Sequence, residues 1–184
     1  MASLVAMRHP DRFCALAMHS GPILGKAHSI ATGLETMQAD NDPEAEELIE
    51  LLTEYTPQHF NLPTMIIHGE QDKVVNSSNA HQLATQFLHL NNVPTDSVPV
   101  VSHRYAQTSR EYTHKTYKYK RQSVVELVEV KHLDHSWGGG DDSLAYNSRK
   151  GPSSSKLIWN FFKRCARQYD LRQIKQASLP LGDE

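Results

Sequence analysis

Cysteine is scarce in these 184 residues, with Cys14 and Cys165 alone, so at most one bridge can form and a disulfide-stapled scaffold is excluded. Both thiols sit inside apolar runs, where buried free cysteines are common. Long apolar stretches are also missing: nothing approaches the roughly 18 residues that span a bilayer, and the opening run is broken by Arg8, Asp11 and Arg12. That opening reads as neither a leader peptide nor an anchor. Excess charge is absent too. Lys and Arg number 19 against 21 Asp and Glu, a net charge of -2, which gives no electrostatic reason to expect nucleic acid or an anionic membrane as partner. There is no internal repeat, heptad period or Gly/Ser linker, so one compact unit is expected over residues 1–176, with 177–184 as a frayed tail.

The order of patterns points to an α/β chain. A short helix from Ser3 to His9 stops at Pro10. The apolar run Phe13 to His19 then suits a strand covered on both faces, and Ser20, Gly21 and Pro22 close it. Asp42 and Pro43 form an N-cap and first-turn pair, behind which Ala45, Leu48, Ile49, Leu52 and Tyr55 fall at helical spacing. Thr64 to His68 reads as a second buried strand ended by Gly69. Ala80, Leu83, Ala84 and Phe87 give a helix from Asn76 to Leu90, with Asn76, Ser77 and Ser78 as candidate caps. Strand, loop and helix in that order make the βα unit of a parallel sheet. Residues 91–111 read as polar and irregular, Tyr112 to Tyr119 and Ser123 to Val130 as strands. After Gly151 and Pro152 comes a helix whose apolar face runs from Leu157 to Tyr169.

Ionisable residues just past strand ends are the natural candidates for chemistry, because open parallel sheets assemble their sites there. Two places qualify: His68-Gly69-Glu70-Gln71-Asp72, and His132-Leu133-Asp134-His135-Ser136-Trp137 with Gly138 to Gly140 behind. An acid followed later by a histidine is the order in which α/β hydrolases supply the last two members of a Ser, Asp, His triad. Asp72 is then the orienter and His135 the acid and base, with Asp72 as a cap of the helix near Asn76 the competing role. Asp141 and Asp142 are weaker alternatives to Asp72, and adjacency argues against Asp134. Trp137 either lines the substrate pocket or packs under the glycine-rich loop. His132 and His135 are three apart, but no His-Glu-x-x-His helix or Cys-x-x-Cys pair accompanies them, so no metal is expected. The Lys, Arg and Tyr alternation from Arg104 to Arg121 fits a solvated hairpin better than a single-strand binder.

The chain resembles the polyhydroxybutyrate (PHB) depolymerase-like esterases of the α/β-hydrolase superfamily. The resemblance rests on Arg8-His9-Pro10-Asp11-Arg12-Phe13, on His19-Ser20-Gly21-Pro22, and on Pro63 to Val75 with His-Gly-x-x-Asp at 68–72. It continues through Val124 to Val130, His135-Ser136-Trp137-Gly138-Gly139, and Gly151-Pro152 before Ile158 to Phe162. It implies a partial α/β-hydrolase fold of three layers, a mostly parallel sheet flanked by helices, with an insert or cap segment at about 34–60. It further implies hydrolysis of a small or polymeric carboxylic ester through an acyl-enzyme, with no cofactor, often in a secreted protein.

The family's Gly-x-Ser-x-Gly elbow is not in this sequence. Gly21 and Gly25 alone have that spacing, and Ile23 stands at its centre. The serine and the amide that follows it as an oxyanion donor are therefore missing together. The expectation is the C-terminal half of an esterase, inactive alone, with the strand near Phe13 exposing an apolar edge. Ser20 is a weak substitute nucleophile, one strand removed. The reading from a different class is a noncatalytic binding or interaction protein on the same framework.

Overall fold

The computed structural model describes residues 2–40, 49, 52, 53, 56, 60–94 and 96–177, with side chains as far as 170. Five strands form one sheet: β1 (Leu16–His19), β2 (Thr64–Gly69), β3 (Val100–Arg104), β4 (Tyr112–Tyr119) and β5 (Gln122–Val130), in the order β1-β2-β5-β4-β3. β1, β2 and β5 run parallel, whereas β4 and β3 fold back antiparallel. The expectation of a mostly parallel sheet therefore needs correcting, since two of the four pairings are antiparallel. The reason is local. Lys120 and Arg121 both take positive φ, 48° and 67°, which is what a two-residue hairpin between twisted strands demands. That turn forces β4 to return beside β5. A second correction is β3, because residues 91–111 are not all irregular. Its side chains are mostly exposed, so no burial pattern marked it in the sequence.

Helices α1 (Ala2–Arg8), α2 (Ile30–Gln38), α3 (Ser78–Leu90) and α4 (Ser154–Ala177) complete the described elements. Alternation along the strands splits the core in two. Leu16, Ile66, Val125 and Leu127 face Met7 of α1 and Leu83 and Phe87 of α3. Met65, Ile67, Val128 and Val130 face Phe161 and Cys165 of α4. The parallel half thus lies between helices on both faces, the three-layer arrangement that keeps a buried parallel sheet dry. All six residues of β2, its central strand, are buried.

β1 is shorter than the run from Phe13 and only Leu16 on it is fully buried, because it lies at the edge of the sheet. Leu4, Val5 and Phe13 stand exposed nearby in sequence. It is nonetheless packed on both faces, as expected, with Leu16 and Met18 on the cluster of α1 and α3 and Ala17 on that of α4; its position at the edge leaves all but Leu16 only half-buried. No helix among the described residues is long and apolar enough to cross a membrane.

Helix α2 was not anticipated. Ser29 accepts the Thr32 amide while Thr32 Oγ1 accepts the Ser29 amide, a capping box that fixes its start. Its C-terminal end is tied to the chain behind Asp72, with the Asn76 amide donating to Met37 O at 2.7 Å and Ser78 Oγ to Ala39 O at 2.9 Å. The helix expected from Asp42 to Tyr55 lies mostly outside the described residues, although Ile49 and Leu52 are buried. At α3 the capping group is the Asn76 side chain, whose Oδ1 accepts the Ser78 amide; Ser77 makes no side-chain cap. Residue 177 belongs to α4 rather than to a frayed tail, and 178–184 lie outside the described residues.

Candidate active site

The C-terminal ends of β1, β2 and β5 lie side by side, so the segments that leave them share one rim of the sheet. β2 and β5 pair to their last residues, Gly69 opposite Val130. Beyond that point the two chains touch: a Cβ on Gly69 would lie 2.2 Å from Leu133 O and 2.7 Å from Leu133 C. The Glu70 and Gln71 amides donate to Val130 O and Leu133 O. Only a residue without a side chain lets the loop of Asp72 run this close to the loop of His135.

Asp72 and His135 meet there. The carboxylate Oδ2 accepts the ring Nδ1–H of His135 at 2.8 Å, while Oδ1 accepts the amides of Val74 and Val75 at 2.9 Å each. Burial by itself would raise the Asp72 pKa. The Val75 amide, then the His135 ring and the Val74 amide outweigh it and hold the carboxyl below its usual range. Asp72 does not cap α3; its amide partners belong to its own loop. The Asp72 bond puts the His135 proton on Nδ1 and leaves Nε2 as the basic nitrogen. Nε2 has no hydrogen-bond partner among the described residues, and the side chain is about one-third exposed.

Two further histidines surround this pair. His68 is buried, and its Nε2–H donates to the Val75 carbonyl at 2.9 Å, bracing the turn whose amides grip Asp72. Its Nδ1 is buried with no partner among the described residues. Burial lowers the pKa of His68 and keeps the ring neutral. His19 ends β1. Its ring stacks on Trp137 with centroids 4.8 Å apart, and its two nitrogens lie 3.2 Å from Ser20 Oγ and from Ser154 Oγ. Its pKa falls to about 4, through burial first and then the neighbouring His68 and His135. Trp137 is partly exposed, and its indole N–H donates to Ser155 Oγ at 3.1 Å.

These positions sort the sequence candidates. Ser20 has φ 49° and turns its hydroxyl to His19, not to His135. Asp141 and Asp142 serve their own loop, through the Ser143 amide and through Arg149. Among the described residues no three His, Cys, Asp or Glu are grouped to hold a metal. In the sequence His19 stands out only as the first residue of His19-Ser20-Gly21-Pro22. Its partner Ser154 is 135 positions away, and no local pattern carries that information.

The family model for Esterase PHB depolymerase matches residues 1–115. The chain belongs to this family of esterases. The match covers more than half of the PHB depolymerase-type chain, including β1, His19, Ser20 and Asp72, and stops within β4, ahead of His135 and Trp137. No curated protein matches it.

Proposed function

We propose that this chain carries the acid and the imidazole of a serine hydrolase that cleaves carboxylic esters, on part of an α/β-hydrolase fold. The attacking serine would stand on polypeptide outside these residues. The observation that carries the reading is the short Asp72 to His135 bond combined with a partially exposed Nε2, unpartnered among the described residues, at the rim of the parallel half of the sheet. In the complete site the serine hydroxyl attacks the ester carbonyl carbon while Nε2 of His135 takes its proton. The imidazolium, stabilised by Asp72, then returns that proton to the alcohol oxygen as the carbon–oxygen bond breaks and an acyl-enzyme forms. Water, deprotonated by the same nitrogen, releases the acid.

Three features support a serine supplied from elsewhere. The sequence contains no Gly-x-Ser-x-Gly. No described hydroxyl bonds to His135 Nε2, and Ser20 is engaged with His19. β1 is an edge strand, so a strand added beside it in parallel would end at the rim where His135 waits. Loss of a triad serine costs on the order of 10⁶ in turnover, so the 184-residue chain is expected to be inactive alone. The test is hydrolysis of a short-chain nitrophenyl ester by this chain. Turnover that His135→Ala abolishes would overturn the inactivity and reopen Ser20. Genomic sequence upstream of the Met1 codon supplies the second test: an in-frame Gly-x-Ser-x-Gly supports the fragment reading. A genuine start there, with a folded monomer and no hydrolysis, favours a noncatalytic interaction protein.

A further inference from the structure

We infer that His19 is a positioning residue of this site, an imidazole that backs Trp137 and so fixes the loop from which His135 reaches Asp72. The inference rests on the reading of His135 as the base. Trp137 follows His135 by two residues, and the chain between them is a tight turn in which the Ser136 amide donates to Asp134 O. Such a turn passes any displacement of the indole to the imidazole. One face of the indole meets the His19 ring, and its N–H is held by Ser155 at the start of α4. His19 in turn is held at both nitrogens, by Ser20 behind it and by Ser154 beside Ser155. The end of β1, the His135 loop and the first turn of α4 are thereby joined through one ring.

Neutrality is part of the role. A neutral imidazole has one donor and one acceptor nitrogen, and each serine hydroxyl can answer either. A protonated ring would place a second positive charge beside the imidazolium that His135 becomes during turnover. Asp72 and His68 also act on His19 through their charges, and Asp72 is the only anion among these neighbours. With His19 and His68 uncharged, neither competes with the His135 imidazolium for the Asp72 carboxylate.

The test needs no turnover. In the 184-residue chain at pH 7, the proton shared by His135 Nδ1 and Asp72 gives a downfield resonance, assigned by its loss in His135→Ala. Its exchange with water reports opening of the pair. His19→Ala is expected to speed that exchange roughly tenfold or more, the factor that corresponds to about 1.4 kcal/mol. His19→Phe, which keeps a ring against Trp137, is expected to restore most of the protection. Protection unchanged in a folded His19→Ala chain overturns the inference and leaves the proposed function standing. Should His19→Ala fail to fold, Ser154→Ala and Trp137→Leu are read in the same way, and parental exchange in both is equally contrary. A parent chain with no such resonance defeats both the inference and the Asp72–His135 pairing beneath it.

Discussion

Acidification makes the neutral His19 ring measurable as stability. In the unfolded chain this histidine binds a proton near pH 6.5, whereas in the folded chain it does so only near pH 4. Between those values the unfolded state holds more protons, so stability falls as the pH drops from 6.5 to about 4 and is unaffected by this group below that. At 1.36 kcal/mol per pH unit the interval is worth about 3 kcal/mol, a large share of the 5 to 15 kcal/mol of a typical domain. The assay is urea unfolding at pH 7 and pH 4 for the parent and for His19→Gln, which accepts and donates hydrogen bonds but does not titrate. With a slope of about 2 kcal/mol per M, the parent midpoint is expected to fall about 1.5 M further than that of the variant. His68, also lowered, contributes with the same sign in both chains and drops out of the comparison. Equal losses in parent and variant would refute the argument that burial holds His19 neutral.

Asp72→Asn should cost about 2 to 3 kcal/mol at pH 7, because hydrogen bonds from Val74, Val75 and His135 lose their charged acceptor. Asp72 is held below its usual range, so the stability it confers is present above about pH 4 and is lost as pH falls through its folded value. The variant should lack that acid-side loss in a pH series of denaturant midpoints. Gly69→Ala should destabilise by about 3 kcal/mol and weaken the shared His135 proton, since the new Cβ meets the Leu133 carbonyl and must push the two loops apart. Thermal melts with the downfield resonance check it. Glu126 is buried on β5, where it accepts from His114 Nε2 at 2.9 Å and from Arg164 of α4. Glu126→Ala should cost about 3 kcal/mol in chemical denaturation and Glu126→Leu distinctly less, because the leucine fills the space the carboxylate leaves.

Much of the fold was legible because it follows from short-range pattern. The apolar run Met65 to Ile67, flanked by Thr64 and His68 and closed by Gly69, suits a buried strand, and the stripe from Ala80 to Phe87 suits a helix facing a core. What escaped had weak or misleading local signals. β3 is largely exposed and so lacks the alternation of a half-buried strand. The antiparallel return of β4 depends on two left-handed residues, Lys120 and Arg121, that are not the usual turn formers. Glu126 breaks the apolar alternation of β5, yet it is buried because Arg164 and His114 reach it from other elements.

The sequence by itself determined the α/β class, the strands on which the candidate acid and base ride, and the absence of a Gly-x-Ser-x-Gly serine. These are properties of residue type and spacing along the chain. Only the tertiary structure decided that Asp72 joins His135 rather than capping α3, that Asp141 and Asp142 stay in their own loop, and that His19 enters the site. Hydrogen bonds act over about 3 Å, and two residues come that close across 63 or 135 positions only when packing of a particular sheet order brings their loops to one rim.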